Sequence, residues 1–117
     1  MNSKYSYGDK CPVLHTLNAI SGKWKVLILH HLLSGSLRYN QLKRRLPGIS
    51  NIMLTRSLHH LEKYGLVERI QYLEKVPHVE YFLTQQAKKL VPAIAAIAKW
   101  GKEQMLLTQL LQHKFGR

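Results

Sequence analysis

Between Ser50 and Gly65 the chain reads SNIMLTRSLHHLEKYG, and its polar residues are of the types that recognise nucleic-acid bases. Arg56 carries a forked donor that matches the edge of guanine in a major groove, and Asn51 a forked amide, donor and acceptor, that matches adenine. Thr55 and His59 add shorter polar groups, and Ile52 adds an apolar contact surface. These five, Asn51, Ile52, Thr55, Arg56 and His59, are the candidate base contacts. Their spacing makes them one surface. At about 100° per residue, Leu54, Leu58 and Leu61 form an apolar stripe, and Ile52, Arg56, His59 and Lys63 lie opposite it. Asn51, Thr55 and His60 flank that polar face, and Glu62 is the single acid in the segment. A helix so divided anchors in a core by one side and presents donors by the other. Arg38, Lys43, Arg44, Lys63 and Lys75 are read as phosphate contacts, which supply affinity and register but carry no sequence information.

Other chemistries find less support. The chain has 117 residues, with 18 Lys plus Arg against 6 Asp plus Glu and a formal net charge of +12. Such a charge points to phosphate backbones, anionic membranes or acidic proteins as partners. A membrane is disfavoured, because no apolar run approaches the roughly 20 residues of a spanning helix. The amino-terminal ten residues are polar and lack the apolar core of a signal peptide, so a cytoplasmic location is expected. His30-His31 and His59-His60 are adjacent pairs, and neighbours on a helix diverge by about 100°, so neither pair chelates well. No metal and no cofactor is expected. No nucleophile–base pair, phosphate loop or carboxylate pair suggests an enzyme. Cys11 is the one cysteine. It stands at the head of a helix, the end that favours anions, and is the candidate redox-sensing residue, with a plain capping role as the alternative.

The elements that hold these residues follow from punctuation and period. Cys11-Pro12 opens a first helix, with Pro12 at a position where its missing N–H costs nothing. Ser21-Gly22 breaks the chain before a second helix from 23 to about 33, which Ser34-Gly35 ends. Gly35 is read there as a left-handed cap. A short strand over 37–39 precedes a third helix with Leu42 and Leu46 inward and Lys43, Arg44 and Arg45 outward. Pro47-Gly48 is a turn, Ser50 caps the fourth helix, Ile49 staples onto Leu54, and Gly65 closes it. Two strands over 66–73 and 79–83 form a wing, with Val79, Tyr81 and Leu83 on one face. Thr84 caps a final helix of about 85–112, which Pro92 should kink. The domain reading is a 1–10 arm followed by a winged-helix domain over 11–117. The fold class is mainly α (α+β): a winged helix-turn-helix with a two-stranded wing and terminal dimerisation helices. Leu14, Leu17, Ile97, Trp100, Met105 and Leu110 are the candidate dimer contacts, since a small core has no room for them.

These motifs together resemble the HxlR-type winged-helix regulators of bacteria and archaea. The matching segments are CPV at 11–13, GKW…LIL at 22–29, LRYNQLKRRLPGIS at 37–50, MLTRSLHHLEKYGLVER at 53–69, VEY.LT at 79–84 and Trp100-Gly101. The resemblance implies a homodimer joined through terminal helices, a DNA-binding fourth helix and a wing that touches the duplex backbone. It also implies that Cys11 occupies the position at which several relatives sense quinones, aldehydes or oxidants. Two departures stand out: the wing tip Lys75-Val76-Pro77-His78 is shorter and less basic than is usual, and Ala87 stands where glycine is common. The expected function is that of a dimeric, sequence-specific transcription regulator on an inverted-repeat operator in double-stranded DNA. A redox, electrophile or small-molecule effector would act on it. A winged-helix protein-interaction module without specific DNA binding is the alternative.

Overall fold

Leucines at helical spacing build the centre of the protein. In the computed structural model, which describes residues 11–114, Leu54, Leu58 and Leu61 are fully buried against Ile28, Leu32, Leu42 and Leu46. The elements around them are α1 (Pro12–Ile20), α2 (Lys23–His31), β1 (Leu37–Arg38), α3 (Tyr39–Arg45), α4 (Asn51–Lys63), β2 (Val67–Tyr72), β3 (His78–Leu83) and α5 (Gln85–Lys114). The residues expected to form an N-terminal arm lie outside those described, as does Lys10 beside Cys11.

Local chemistry sets most of the boundaries. Pro12 begins α1, and the Thr16 hydroxyl donates to its carbonyl. The second helix is shorter than its apolar pattern suggests. It stops at His31, and a tight turn of 3-10 helix over Leu32–Ser34 follows. Gly35 ends that turn with φ +143° and ψ −178°, an extended geometry open to glycine rather than the left-handed helical one expected. Tyr39 does not extend β1. It starts α3, where the Gln41 side chain accepts from the Arg38 N–H at 2.8 Å. At the far end of α4, Gly65 adopts φ +72°. Its N–H donates to the Glu62 carbonyl and that of Leu66 to the Leu61 carbonyl, a paired closure that satisfies the last turn.

The sheet is larger than the two-stranded wing expected from the sequence. Its order is β1-β3-β2, all antiparallel, with Leu37 opposite Tyr81 and Arg38 opposite Glu80. Two residues in β1 suffice because β3 already has β2 on its other side, so β1 needs only to cover an edge. Leu37, Val67 and Tyr81 are buried on the inner face, and Val79 and Leu83 pack on the same core. The face predicted for Val79, Tyr81 and Leu83 is the inner one. Between the strands, Tyr72 and His78 stack with ring centroids 4.9 Å apart and steady the wing below its tip.

Thr84 joins the wing to the last helix. Its hydroxyl donates to the Gly65 carbonyl at 2.6 Å and accepts from the Ala87 N–H at 3.1 Å. Ala87 is 2 % exposed, so the methyl that glycine would lack is in van der Waals contact with the core. The helix then runs without interruption through Pro92 to Lys114. Only its beginning is covered, by packing of Ala87, Leu90 and Ile94.

Two ionisable groups make this fold sensitive to acid. Burial holds the His31 imidazole below its ordinary range, helped by the charges of His30 and Arg45. The Glu80 carboxylate is held below its ordinary range first by the Ser36 hydroxyl, which donates to it at 2.7 Å. His78 follows, with Nε2 2.8 Å from the other carboxylate oxygen. Both groups bind protons more readily in the unfolded chain, so stability rises with pH across their range. The His31 penalty sets in as pH falls through the ordinary imidazole range, and the Glu80 contribution is lost as pH falls below the ordinary carboxylate range toward its lower folded value. Melting temperature on acidification should therefore fall in two stages. His31→Gln should flatten the upper stage and Glu80→Gln the lower. An unchanged melting temperature throughout would contradict both assignments.

Candidate nucleic-acid interface

The outward face of α4 is presented by its first turn. Pro47-Gly48 reverses the chain, with Gly48 at φ +90°, and Ser50 stops it in an extended geometry. The Ser50 hydroxyl then accepts from the Met53 N–H at 3.1 Å, a cap that meets one of the four otherwise unpaired N–H groups. Ile49 is buried beside it, which fixes the angle at which the helix begins. With the leucine stripe inward, Asn51, Ile52, Thr55, Arg56 and His59 are all exposed, and Lys63 continues the face at the last turn. Ile52 is 65 % exposed. There is no carboxylate among these six residues.

Asn51 and Thr55 are not loose. The Tyr39 hydroxyl, at the start of α3, reaches the Asn51 carbonyl at 3.1 Å, Asn51 Oδ1 at 3.3 Å and Thr55 Oγ1 at 3.2 Å. Sequence reasoning passed over Tyr39. The signal was a tyrosine on an inward-facing helix start, since its ring packs on the core and its hydroxyl then needs a polar partner nearby. His60, expected among the flanking polar residues, is also engaged elsewhere. Its Nε2 lies 2.9 Å from the Asn18 carbonyl and its ring stacks on Tyr64 at 4.8 Å. It ties α4 to α1 and leaves the outward face to its neighbours.

The candidate phosphate contacts divide by position. Arg38 and Arg44 line an open cleft of about 530 Å³ between α3 and the wing, together with His78. Arg44 and Arg45 are exposed and Lys43 is half-buried. Lys75 stands exposed at the wing tip, apart from that cleft. Cys11 is half-buried at the head of α1. Its side chain makes no capping bond to the helix, although its carbonyl accepts from His15 at 3.0 Å. Among the described residues, no three His, Cys, Asp or Glu side chains stand close enough to hold a metal ion. No described helix is long and apolar enough to cross a membrane.

The candidate dimer contacts are uncovered. Leu14 and Leu17 on α1 and Ile97, Trp100, Met105 and Leu110 on α5 are exposed, Trp100 by 64 %. Leu106, Leu107 and Leu111 of α5 are exposed as well.

Comparison with known proteins agrees with this geometry. Residues 19–109 match the family described as HxlR-like helix-turn-helix. An HTH-type transcriptional regulator of Methanothermobacter thermautotrophicus is 46 % identical over 92 residues, which cover 79 % of this chain and 70 % of that protein. The redox regulator HypR in its reduced form superposes with a TM-score of 0.79 at 36 % identity, over 85 % of this chain and 98 % of the other. The reduced form of the transcriptional regulator YodB from B. subtilis gives 0.73 at 29 % identity, over 80 % and 92 %. With its winged helix-turn-helix fold, its exposed basic helix and this match over most of its length, the chain belongs to the HxlR-like family of DNA-binding transcriptional regulators.

Proposed function

We propose that the protein acts as a homodimer in the cytoplasm and reads an inverted-repeat operator with α4, one helix per half-site. The observation that carries this is the outward face of α4: six exposed residues, none acidic, on a helix locked by its opposite side. Asn51, Ile52, Thr55, Arg56 and His59 read base edges, and Arg38, Lys43, Arg44, Lys63 and Lys75 take phosphates. Base contacts and phosphate contacts differ in what their loss does. Arg56→Ala should cost about 1–3 kcal/mol of discrimination between operator and random duplex. Lys43→Ala should weaken both alike and lower the salt slope by about one. Gel-shift titrations on both duplexes at several salt concentrations measure this, and equal losses on both for both variants would reverse the roles.

The dimer is inferred from apolar surface that the chain does not cover by itself. Leu14 and Leu17 of α1 and Ile97, Trp100, Met105 and Leu110 of α5 form it. Two half-sites about one helical turn apart then require the two α4 helices at a fixed separation. Sedimentation at micromolar concentration should give twice the mass of the chain, and Trp100→Glu should give a monomer. A wild-type monomer under these conditions would sink the arrangement.

Cys11 gives this assembly a redox input. It heads a helix of the proposed dimer joint, and two of the similar structures are of the redox regulator HypR in its oxidized form and of diamide-treated YodB from B. subtilis. With one cysteine per chain, oxidation joins two protomers or adds a small thiol. Either product adds bulk where the spacing of the two α4 helices is set. Diamide should change operator affinity in the wild type and leave Cys11→Ser unaffected. Identical responses of the two would remove Cys11 from the signal.

A further inference from the structure

Among the polar side chains on the face of α4, Asn51 and Thr55 share a partner inside the protein, and the hydrogen atoms can be counted. The Tyr39 hydroxyl has one proton and three neighbours: the Asn51 carbonyl, Asn51 Oδ1 and Thr55 Oγ1. Both Asn51 oxygens can only accept, so the phenol proton is directed to them. Thr55 then completes the chain by donating its own proton to the phenol oxygen. In this arrangement the Asn51 oxygen faces Tyr39 and its amino group faces away. Thr55, its proton spent inward, offers lone pairs outward.

We infer that Tyr39 is a specificity-determining residue that acts through Asn51, holding its side chain so that α4 offers an amino donor at that position. This rests on the reading of α4 as the base-contacting helix. Tyr39 is a positioning residue and makes no base contact in this scheme. Its ring is anchored against the core, so the hydroxyl is held in place where a side chain in solvent would lose it to water. An outward donor at Asn51 complements a base edge that presents an acceptor, as a purine N7 does, and mismatches the amino group of cytosine. The phosphate contacts are unaffected by the orientation of this amide, so affinity for random DNA is independent of it.

Selection of duplexes from a random pool tests this with four forms of the full chain: wild type, Tyr39→Phe, Asn51→Asp and Asn51→Ala. Asn51→Ala marks the base pair that Asn51 reads, by erasing the preference there. Tyr39→Phe keeps the ring and removes only the hydroxyl. It should lower discrimination at that same pair by about tenfold, the scale of one good side-chain contact. Binding to random duplex, and preferences away from the pairs that Asn51 and Thr55 read, should be unchanged. Asn51→Asp keeps an oxygen for the phenol and replaces the outward donor by an acceptor. An acid is tolerated in the first turn of a helix, and the preference should move toward a pair that presents an amino group. Wild-type preference retained by Tyr39→Phe or by Asn51→Asp overturns the inference, as does an Asn51→Ala chain that loses no preference. A wild-type chain that selects no motif at all is a different result, and overturns the reading of α4 on which the inference stands.

Discussion

The burial of one stripe of α4 is the constraint on which the remainder of this protein depends. Leu54, Leu58 and Leu61 fill a core of leucine and isoleucine from α2 and α3. Because a helix has one rotation that buries such a stripe, the same packing determines which residues face out. No separate interaction is needed to aim Arg56 or Ile52. Each side chain buried there contributes roughly 1.5–3 kcal/mol, whereas Ile52, in water in the folded and the unfolded chain alike, subtracts little from that. The exposed isoleucine is therefore tolerated by the fold.

Around that helix, acidic groups are few and are kept busy. Glu80 has Ser36 on one oxygen and His78 on the other, which ties β1 to β3 beside the cleft where Arg38 and Arg44 stand. Its charge is thereby partly answered by neighbours before any duplex approaches. Glu62 points to the half-buried side of α4. A chain with a net charge of +12 thus presents no acidic side chain among the six outward residues of α4. The positive field is long-ranged and screened by salt, whereas the hydrogen-bonding pattern of Asn51, Thr55 and Arg56 is short-ranged and largely unscreened. The two properties are carried by different residues.

Much of this was legible in the sequence because the signals were local. The Pro12 start, the Ser50 cap and the Gly65 closure are each decided within about four residues, and each stands where it was expected. Amphipathic period placed the core of α4 and the inner face of β3. What failed to show was long-range. The pairing of β1 with β3 joins residues more than forty positions apart and involves too few side chains to leave a pattern. Tyr39 bonding to Asn51 and Thr55, and His60 bonding to Asn18, likewise depend on how α3 and α1 pack on α4. Periodicity put His60 on the polar flank of its helix, and a neighbouring helix occupies that flank. Of the alternatives left open by composition, membership of the HxlR-like family decides for a regulator of transcription over a protein-interaction module.

The packing of α1 on α4 also links two parts of the molecule that serve different ends. The contact is polar and aromatic: His60 Nε2 to the Asn18 carbonyl, His60 stacked on Tyr64, and His15 edge-on to the same tyrosine at 5.6 Å. Leucine packing would allow sliding, because dispersion contacts are individually weak and non-directional. A hydrogen bond to a carbonyl near the end of α1 and rings at fixed angles tolerate less displacement. α1, which follows Cys11, is therefore joined to the last turns of α4 by directional contacts as well as by apolar packing. The first turn of α4 is held separately, by Ser50 and by Tyr39. The two ends of α4 are thus held by different partners, α1 at the last turns and Tyr39 with Ser50 at the first, while the leucine stripe between them sets which residues face out.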